Sequence, residues 1–366
     1  MRKKWPVFDK QGAAGFFSAA HIHSVKTAIL RRSQVRETTR RDKIGKTLAK
    51  KISVRRILVP IDFSKPSLAA IEYASKVATR LGAEVNLIHV FEPQYPLVGM
   101  NAMPLYLPDP EAGIRARSHL EITAKRYGIP LRAEHIHVKK GRPFQEICRL
   151  ARKIDIDLII IPTRGNTGLK HLALGSTAER VVRHSPCPVL VLRSGPKAGQ
   201  NGKLPAASIT FPKILVPIDF SDCSMKGLAY AKALARQFRS KLILLNSVAI
   251  QYWMTNDEYT RYDLPLLTQQ SEKVAREQMH NLVQELQKEK LEVTSSVEIG
   301  HAGQQICAAA EEKRVDVIVT STHGATGLKH VLLGSTAEYV VRHATCPVLV
   351  VPSHERPALP STAKTK

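Results

Sequence analysis

The 366-residue sequence has no uninterrupted run of 18 apolar residues, no CxxC pair and no complete G-x-x-x-x-G-K-S/T motif, since its one GKT, Gly45-Lys46-Thr47, has Arg40 where the motif needs its first glycine. The first absence argues against a membrane-spanning helix, since about 20 apolar residues are needed to cross a bilayer. Apolar runs such as Leu158–Ile161 and Val348–Val351 have the length of strands. The third absence rules out a Walker A loop. Cysteine is scarce: Cys148, Cys187, Cys223, Cys307 and Cys346 are odd in number and widely spaced. That argues against a disulfide framework, fits a reducing cytosol and places the chain in the cytoplasm. Small packing residues are the default reading of these thiols. No Ser-His-Asp arrangement has a sequence context that suggests a nucleophile, so the chain reads as a binding protein and not an enzyme. His135 and His137 fall on one face of an expected strand, but no third metal ligand is evident nearby. They read as a solvent-facing edge.

The charge is lopsided. Formal net charge is +24, and residues 1–56 alone hold sixteen Lys and Arg against Asp9, Glu37 and Asp42. A basic arm of this kind is compatible with nucleic acid, with acidic lipid or with a targeting segment, and all three rank below a solvated arm of no fixed role.

An internal repeat organises the remainder. Arg164–Leu192 and His323–Val351 align without a gap, with 21 of 29 positions identical, and ILVPIDFS occurs at both Ile57–Ser64 and Ile214–Ser221. The period of 157 to 159 residues is the size of a domain, so the chain is a duplication and not a solenoid of short repeats. The expected organisation is a basic extension over 1–53, a first domain over 54–193, a Gly- and Pro-bearing linker over 194–211, a second domain over 212–351 and a tail over 352–366.

Within one unit, β-branched runs alternate with amphipathic segments. Strands are expected over 56–61, 84–90, 131–138, 157–162 and 188–192, and helices from about Ser64, over 113–127, over 143–153 and over 177–184. The second unit repeats the pattern, with a charged surface helix over 269–288. This alternation predicts an α/β fold of two tandem Rossmann-like domains, each a parallel sheet with helices on both faces. Such sheets bind ligands beyond the carboxyl ends of their strands.

Chemistry-bearing residues concentrate there. After the fourth strand come Gly165, Gly168 and Gly175-Ser176-Thr177, with Gly324, Gly327 and Gly334-Ser335-Thr336 in the second copy. Glycine permits positive φ and close approach, and a helix opening at Gly175-Ser176 or Gly334-Ser335 presents N–H groups to a phosphate. Ser176-x-x-Glu179 and Ser335-x-x-Glu338 also read as capping boxes, which need no ligand. Asp62 and Asp219 end the first strand of each unit, either as acceptors for a ribose or base or as caps of the next helix.

On these motifs both halves resemble the universal stress protein family. The VPIDFS opening, the IHV strand end, the glycine turn with GS and the CPVLV strand carry the resemblance, which covers Val54–Leu192 and Pro212–Val351. It implies a five-stranded sheet of order 3-2-1-4-5 per domain, paired through the last strand either between chains in a homo-oligomer or inside a tandem chain. It implies ATP, with Mg, or a related nucleotide at Gly165, Gly175 and Ser176 and at Gly324, Gly334 and Ser335. Pro60, Asp62 and Val90 would contact base and ribose, with Pro217, Asp219 and Val248 as their counterparts. The first glycine of the family's ATP pattern is replaced by Pro162 and by Ser321. The reading is therefore a nucleotide-binding stress-response sensor, set against a nucleotide-free scaffold or chaperone-like protein.

Overall fold

The computed structural model describes residues 53–92, 111–129, 132–163, 174–193, 210–249, 258–324 and 333–353. Most of the basic extension, the linker and the tail, together with Gly165, lie outside them.

In the first half the elements run β1 (Arg56–Pro60), α1 (Lys65–Leu81), β2 (Glu84–Phe91), α2 (Ala112–Arg126), β3 (Ile136–Lys140), α3 (Pro143–Lys153), β4 (Leu158–Pro162), α4 (Ser176–His184) and β5 (Val189–Leu192). In the second they run β6 (Lys213–Pro217), α5 (Asp222–Phe238), β7 (Lys241–Val248), α6 (Glu258–Lys288), β8 (Val293–Ile299), α7 (Ala302–Glu312), β9 (Val317–Ser321), α8 (Ser335–His343) and β10 (Val348–Val351). The fully apolar strands β4, β5 and β10 are buried on both faces, as parallel strands covered by helices must be.

The ten strands among the described residues form one sheet of order β3-β2-β1-β4-β5-β10-β9-β6-β7-β8. Each half thus has the order 3-2-1-4-5, and neighbours are parallel except at the join, where β5 and β10 pair antiparallel with Leu190 opposite Leu349. A two-fold relation between duplicated halves requires this antiparallel pairing, because it brings the same edge of each half together. The join closes both inner edges within one chain. Each face of the sheet carries one apolar core that runs through both halves.

Ion pairs also tie the halves. Glu179 meets Arg183 at 2.8 Å and Arg342 at 3.4 Å, while Glu338 meets Arg342 at 2.7 Å and Arg183 at 3.7 Å. Burial pushes the Tyr73 hydroxyl upward in pKa, and repulsion from the Asp316 carboxylate of the other half adds to the shift, so the hydroxyl stays protonated near neutrality.

Three local expectations are corrected. The third strand begins at Ile136, not Leu131, because Ala133–His135 forms a 3-10 turn. The Arg117 guanidinium donates to the carbonyls of Ala133 and Ile136 at 2.9 and 3.3 Å there. His135 and His137 therefore do not share a strand face, and His137 is half-buried against Asn86, with Nε2 at 3.3 Å from Oδ1. Helix α6 begins at Glu258, eleven residues before Gln269, and so includes Pro265. The capping boxes do not form. Gly175 and Gly334 are the N-caps without a side-chain cap bond, Ser176 and Ser335 are already helical, and Glu179 and Glu338 turn to the join.

His137 gives the fold an acid-sensitive point. Burial first, then Lys139, His135, Arg117 and Lys153, lower its pKa from 6.5 to about 4. The unfolded chain binds this proton more readily than the folded one, so stability falls as pH drops from about 6.5 to about 4. Discounted for partial exposure, the loss between pH 7 and 5 is about 1 kcal/mol. His137→Asn should flatten this limb in melting curves taken at the two pH values. Parallel curves for parent and variant would contradict the assignment.

Candidate functional site

The site begins with a repeated tight turn. Asp62 Oδ1 accepts from the Ser64 N–H at 3.1 Å and from the Ser64 hydroxyl at 2.6 Å. Ser64 in turn caps α1, its Oγ accepting from the Ser67 N–H at 3.3 Å. Asp219, Ser221 and Ser224 repeat the arrangement at 3.0, 2.6 and 3.2 Å. Folding the carboxylate back onto residue i+2 drives the residue between into the left-handed region, so Phe63 and Phe220 have φ of 62° and 61°. A bulky residue in that region costs about 1–3 kcal/mol and persists only when its surroundings hold it. The Phe63 ring stacks on His119 at 4.0 Å and lies 4.8 Å from His89. His89 Nδ1 is 2.8 Å from the Ile61 carbonyl, and Asn246 Nδ2 donates to the Ile218 carbonyl at 2.7 Å in the second half. The carbonyl fixes the His89 tautomer with its proton on Nδ1.

Of the two readings of Asp62, the structure shows the helix-start cap, with Oδ1 holding the Ser64 that caps α1, and the residue also lines a cavity. That cavity, of about 380 Å³, opens at the carboxyl ends of β1, β2 and β4. It gathers Pro60, Asp62, Val90, Gly175, Ser176 and Thr177, which the sequence singles out from stretches more than a hundred residues apart. Ser67, Glu92, Pro143, Ile147 and Thr163 line it too and are not among the residues expected from sequence. Pro143 and Ile147 stand on α3 without a motif to mark them. Glu92 has a signal, since it lies two residues past Val90.

The α4 amino terminus forms the polar end. The Gly175 N–H donates to the Thr163 carbonyl at 2.7 Å, as does the Gly334 N–H to the Thr322 carbonyl. These two bonds pin the start of each helix and leave Ser176, Thr177 and Ala178 as its first-turn residues, where N–H groups have no intrahelical acceptor. Gly175 and Gly334 are extended, with φ of −62° and −70°, so positive φ is not what these glycines provide. Gly334 is instead closely approached: a Cβ there would stand 3.4 Å from the Thr322 carbonyl. Gly324 is more constrained, since a Cβ would stand 2.7 Å from Asp219 Oδ2. Pro162 lines the cavity and contributes shape but no donor.

The second half differs. Pro217, Asp219, Gly324, Gly334, Ser335 and Thr336 hold the places corresponding to the first half's residues, but Val248 does not correspond to Val90. Ile88 pairs with Pro60 and Leu245 with Pro217, so Ser247 holds the place of Val90. Side chains alternate faces along a strand, and Val248 accordingly packs in the opposite core from Val90. The Ser247 hydroxyl donates to the Gly300 carbonyl at 2.8 Å. Ser321 donates to the His323 carbonyl at 2.7 Å, and His323 Nδ1 lies 3.0 Å from both Thr322 Oγ1 and Ser353 Oγ. The apolar wall of the first site is thus partly polar in the second.

Burial pushes Cys148 and Cys307 up to about 11 and Cys346 up to about 12, so they remain protonated near neutrality. No helix among the described residues is long and apolar enough to cross a membrane.

Comparison with known proteins agrees with this architecture. The profile of the universal stress protein family matches residues 53–193 and 210–352. A universal stress protein of Methanocaldococcus jannaschii is 35% identical over 147 residues, which cover 39% of this chain and 84% of that protein. One from Mycolicibacterium smegmatis is 24% identical over 305 residues, covering 81% of this chain and 96% of its own length. The crystal structure of a universal stress protein from Archaeoglobus fulgidus superposes with a TM-score of 0.55 at 23% identity, over 84% of this chain and all of that one, a likeness of fold. With the duplicated turn, the strand order and the family match in agreement, the chain belongs to the universal stress protein family and carries two copies of its domain in tandem.

Proposed function

We propose that the first half binds ATP or a related adenine nucleotide and acts as a nucleotide-dependent stress-response sensor in the cytoplasm. The observation that carries this reading is the convergence of Pro60, Asp62, Val90, Gly175, Ser176 and Thr177 on one cavity. Pro60, Ile88 and Val90 supply apolar surface for a base. Asp62 is an acceptor for a ribose hydroxyl, and the α4 amino terminus supplies N–H groups and the positive end of a helix dipole for phosphate. Among the described residues no group of three or more His, Cys, Asp or Glu is placed to hold a metal. Mg accordingly enters as the counter-ion of the nucleotide's phosphates. The role assigned is occupancy, not turnover. Gly165, Gly324, Gly334, Ser335 and Thr336 extend the same reading to the family's glycine turns in both halves.

The test is calorimetric titration of ATP–Mg into the full chain and two variants. Asp62→Ala should weaken binding at least about tenfold, or 1.4 kcal/mol. Ser176→Pro is the more selective probe. Proline suits the first helical position, and Gly175 already has the extended ψ of 142° that a following proline requires. The helix is retained while one N–H facing the phosphate is removed, so affinity should fall severalfold at unchanged melting temperature. A folded parent that binds no nucleotide would leave the nucleotide-free scaffold as the better account.

A further inference from the structure

The duplication supplies an internal control for surface charge. Residues 54–193 hold 21 Lys and Arg against 12 Asp and Glu, whereas residues 210–353 hold 15 of each. Both halves fold alike, so the excess in the first is not a requirement of the fold.

The excess is concentrated on one face. Lys139 on β3, Arg142, Arg149, Arg152 and Lys153 on and around α3, and Arg180 on α4 are all exposed. Gly141 and Gly300 occupy equivalent turns, which sets the correspondence of the two halves at 159 residues here. At the six matching positions the second half has Glu298, His301, Ala308, Glu311, Glu312 and Tyr339. Three of the six cations are replaced by carboxylates at the same places in the same fold. Arg142, Arg149 and Lys153 recur at intervals of seven and four residues and so form a stripe about 16 Å long on α3. Glu146 is the acid in that stripe, and Arg149 is paired with it. Arg180 joins across the helix pair, its guanidinium 5.3 Å from the Phe144 ring centre. The field of Lys139 and Lys153 is felt by His137, where both contribute to the lowered pKa.

We propose that this face, formed by α3 and the edge strand β3, docks the phosphate backbone of duplex nucleic acid without reading sequence. A row of cations on a rigid helix suits the regular phosphate array of a duplex. An anionic membrane would call for large apolar side chains among the cations. Among the described residues the exposed ones are Ile114 and Ile122 on α2, Val274 on α6 and Ile299 on β8, none of them on this face. Single-strand binding would call for open aromatic rings, and Phe144 is half-buried beneath Arg180.

The test uses the full chain and a duplex of mixed sequence, with binding measured across a salt series. A Lys139→Glu/Arg152→Glu/Lys153→Glu variant installs residues that the second half carries at those places, so its melting temperature should match the parent's. Its plot of log affinity against log salt should be shallower by about 3, because three fewer phosphates are neutralised on binding. The basic extension is common to both proteins and cancels in that difference. A Glu298→Lys/Glu311→Arg/Glu312→Lys variant should steepen the slope. Equal slopes in parent and first variant would overturn the proposal. So would a substitution that abolishes binding to phosphatidylserine vesicles while leaving duplex binding intact.

Discussion

Gly303→Phe should cost the protein about 3 kcal/mol or more, and adding Tyr339→Arg should restore most of that loss. A Cβ at Gly303 would stand 2.7, 2.8 and 2.9 Å from Cδ1, Cγ and Cβ of Tyr339, closer than real side chains come. The matching positions in the first half are Phe144 and Arg180. There the ring stands on α3 and the cation of α4 covers it at 5.3 Å. In the second half the ring stands on α8, stacked on His343 at 4.1 Å, and α7 gives way with a glycine. One ring fills the gap between paired helices in each half, supplied from opposite sides. The double variant rebuilds the first half's solution inside the second. Urea denaturation would show a lower midpoint at unchanged m-value for the single variant and recovery in the double. A single variant as stable as the parent, or a double no better than the single, would refute the exchange.

Leu349→Asp should be the more damaging substitution, at about 4 kcal/mol or more. Leu349 and Leu190 face each other across the antiparallel join at 5% and 3% exposure. Both border a small apolar cavity of about 40 Å³, with Phe211, Phe238 and Leu81 among its walls. A carboxylate at this place has no cation in the apolar lining and must be desolvated or protonated. Leu349→Ala, which only removes volume, should cost about 2–4 kcal/mol. The cores on both faces run through both halves, so calorimetry of the parent should show one cooperative transition. The Asp variant should melt far lower. A variant within a degree or two of the parent would mean that the halves are stabilised independently and the join contributes little.

Much of this architecture is local and therefore readable in the amino-acid order. The duplication is plain from identity at one period, and strand alternation with amphipathic helices follows from side-chain periodicity. Ser64 announces a helix start because capping involves neighbours three residues apart. The resemblance to one family also brings the order 3-2-1-4-5 and the residues that meet at the cavity.

Sequence and structure part where a local signal competes with a distant partner. Ser176-x-x-Glu179 has the pattern of a capping box, yet Glu179 faces Arg183 and Arg342, the second of which lies 163 residues along the chain. Val248 matches Val90 by residue type, but a one-residue slip along a strand turns the side chain to the other face. His135 and His137 alternate correctly for a strand that begins only after His135. Residue order alone determined that the chain holds two α/β units with their repeated glycine and aspartate motifs at the carboxyl ends of the strands, because propensity, periodicity and turn chemistry act over a few residues. Only the tertiary structure decided that β5 and β10 join ten strands into one sheet, that α3 supplies a wall of the cavity and that one half turns a basic face outward where its duplicate does not. Those outcomes depend on which surfaces meet across more than a hundred residues of chain, and no local pattern encodes that.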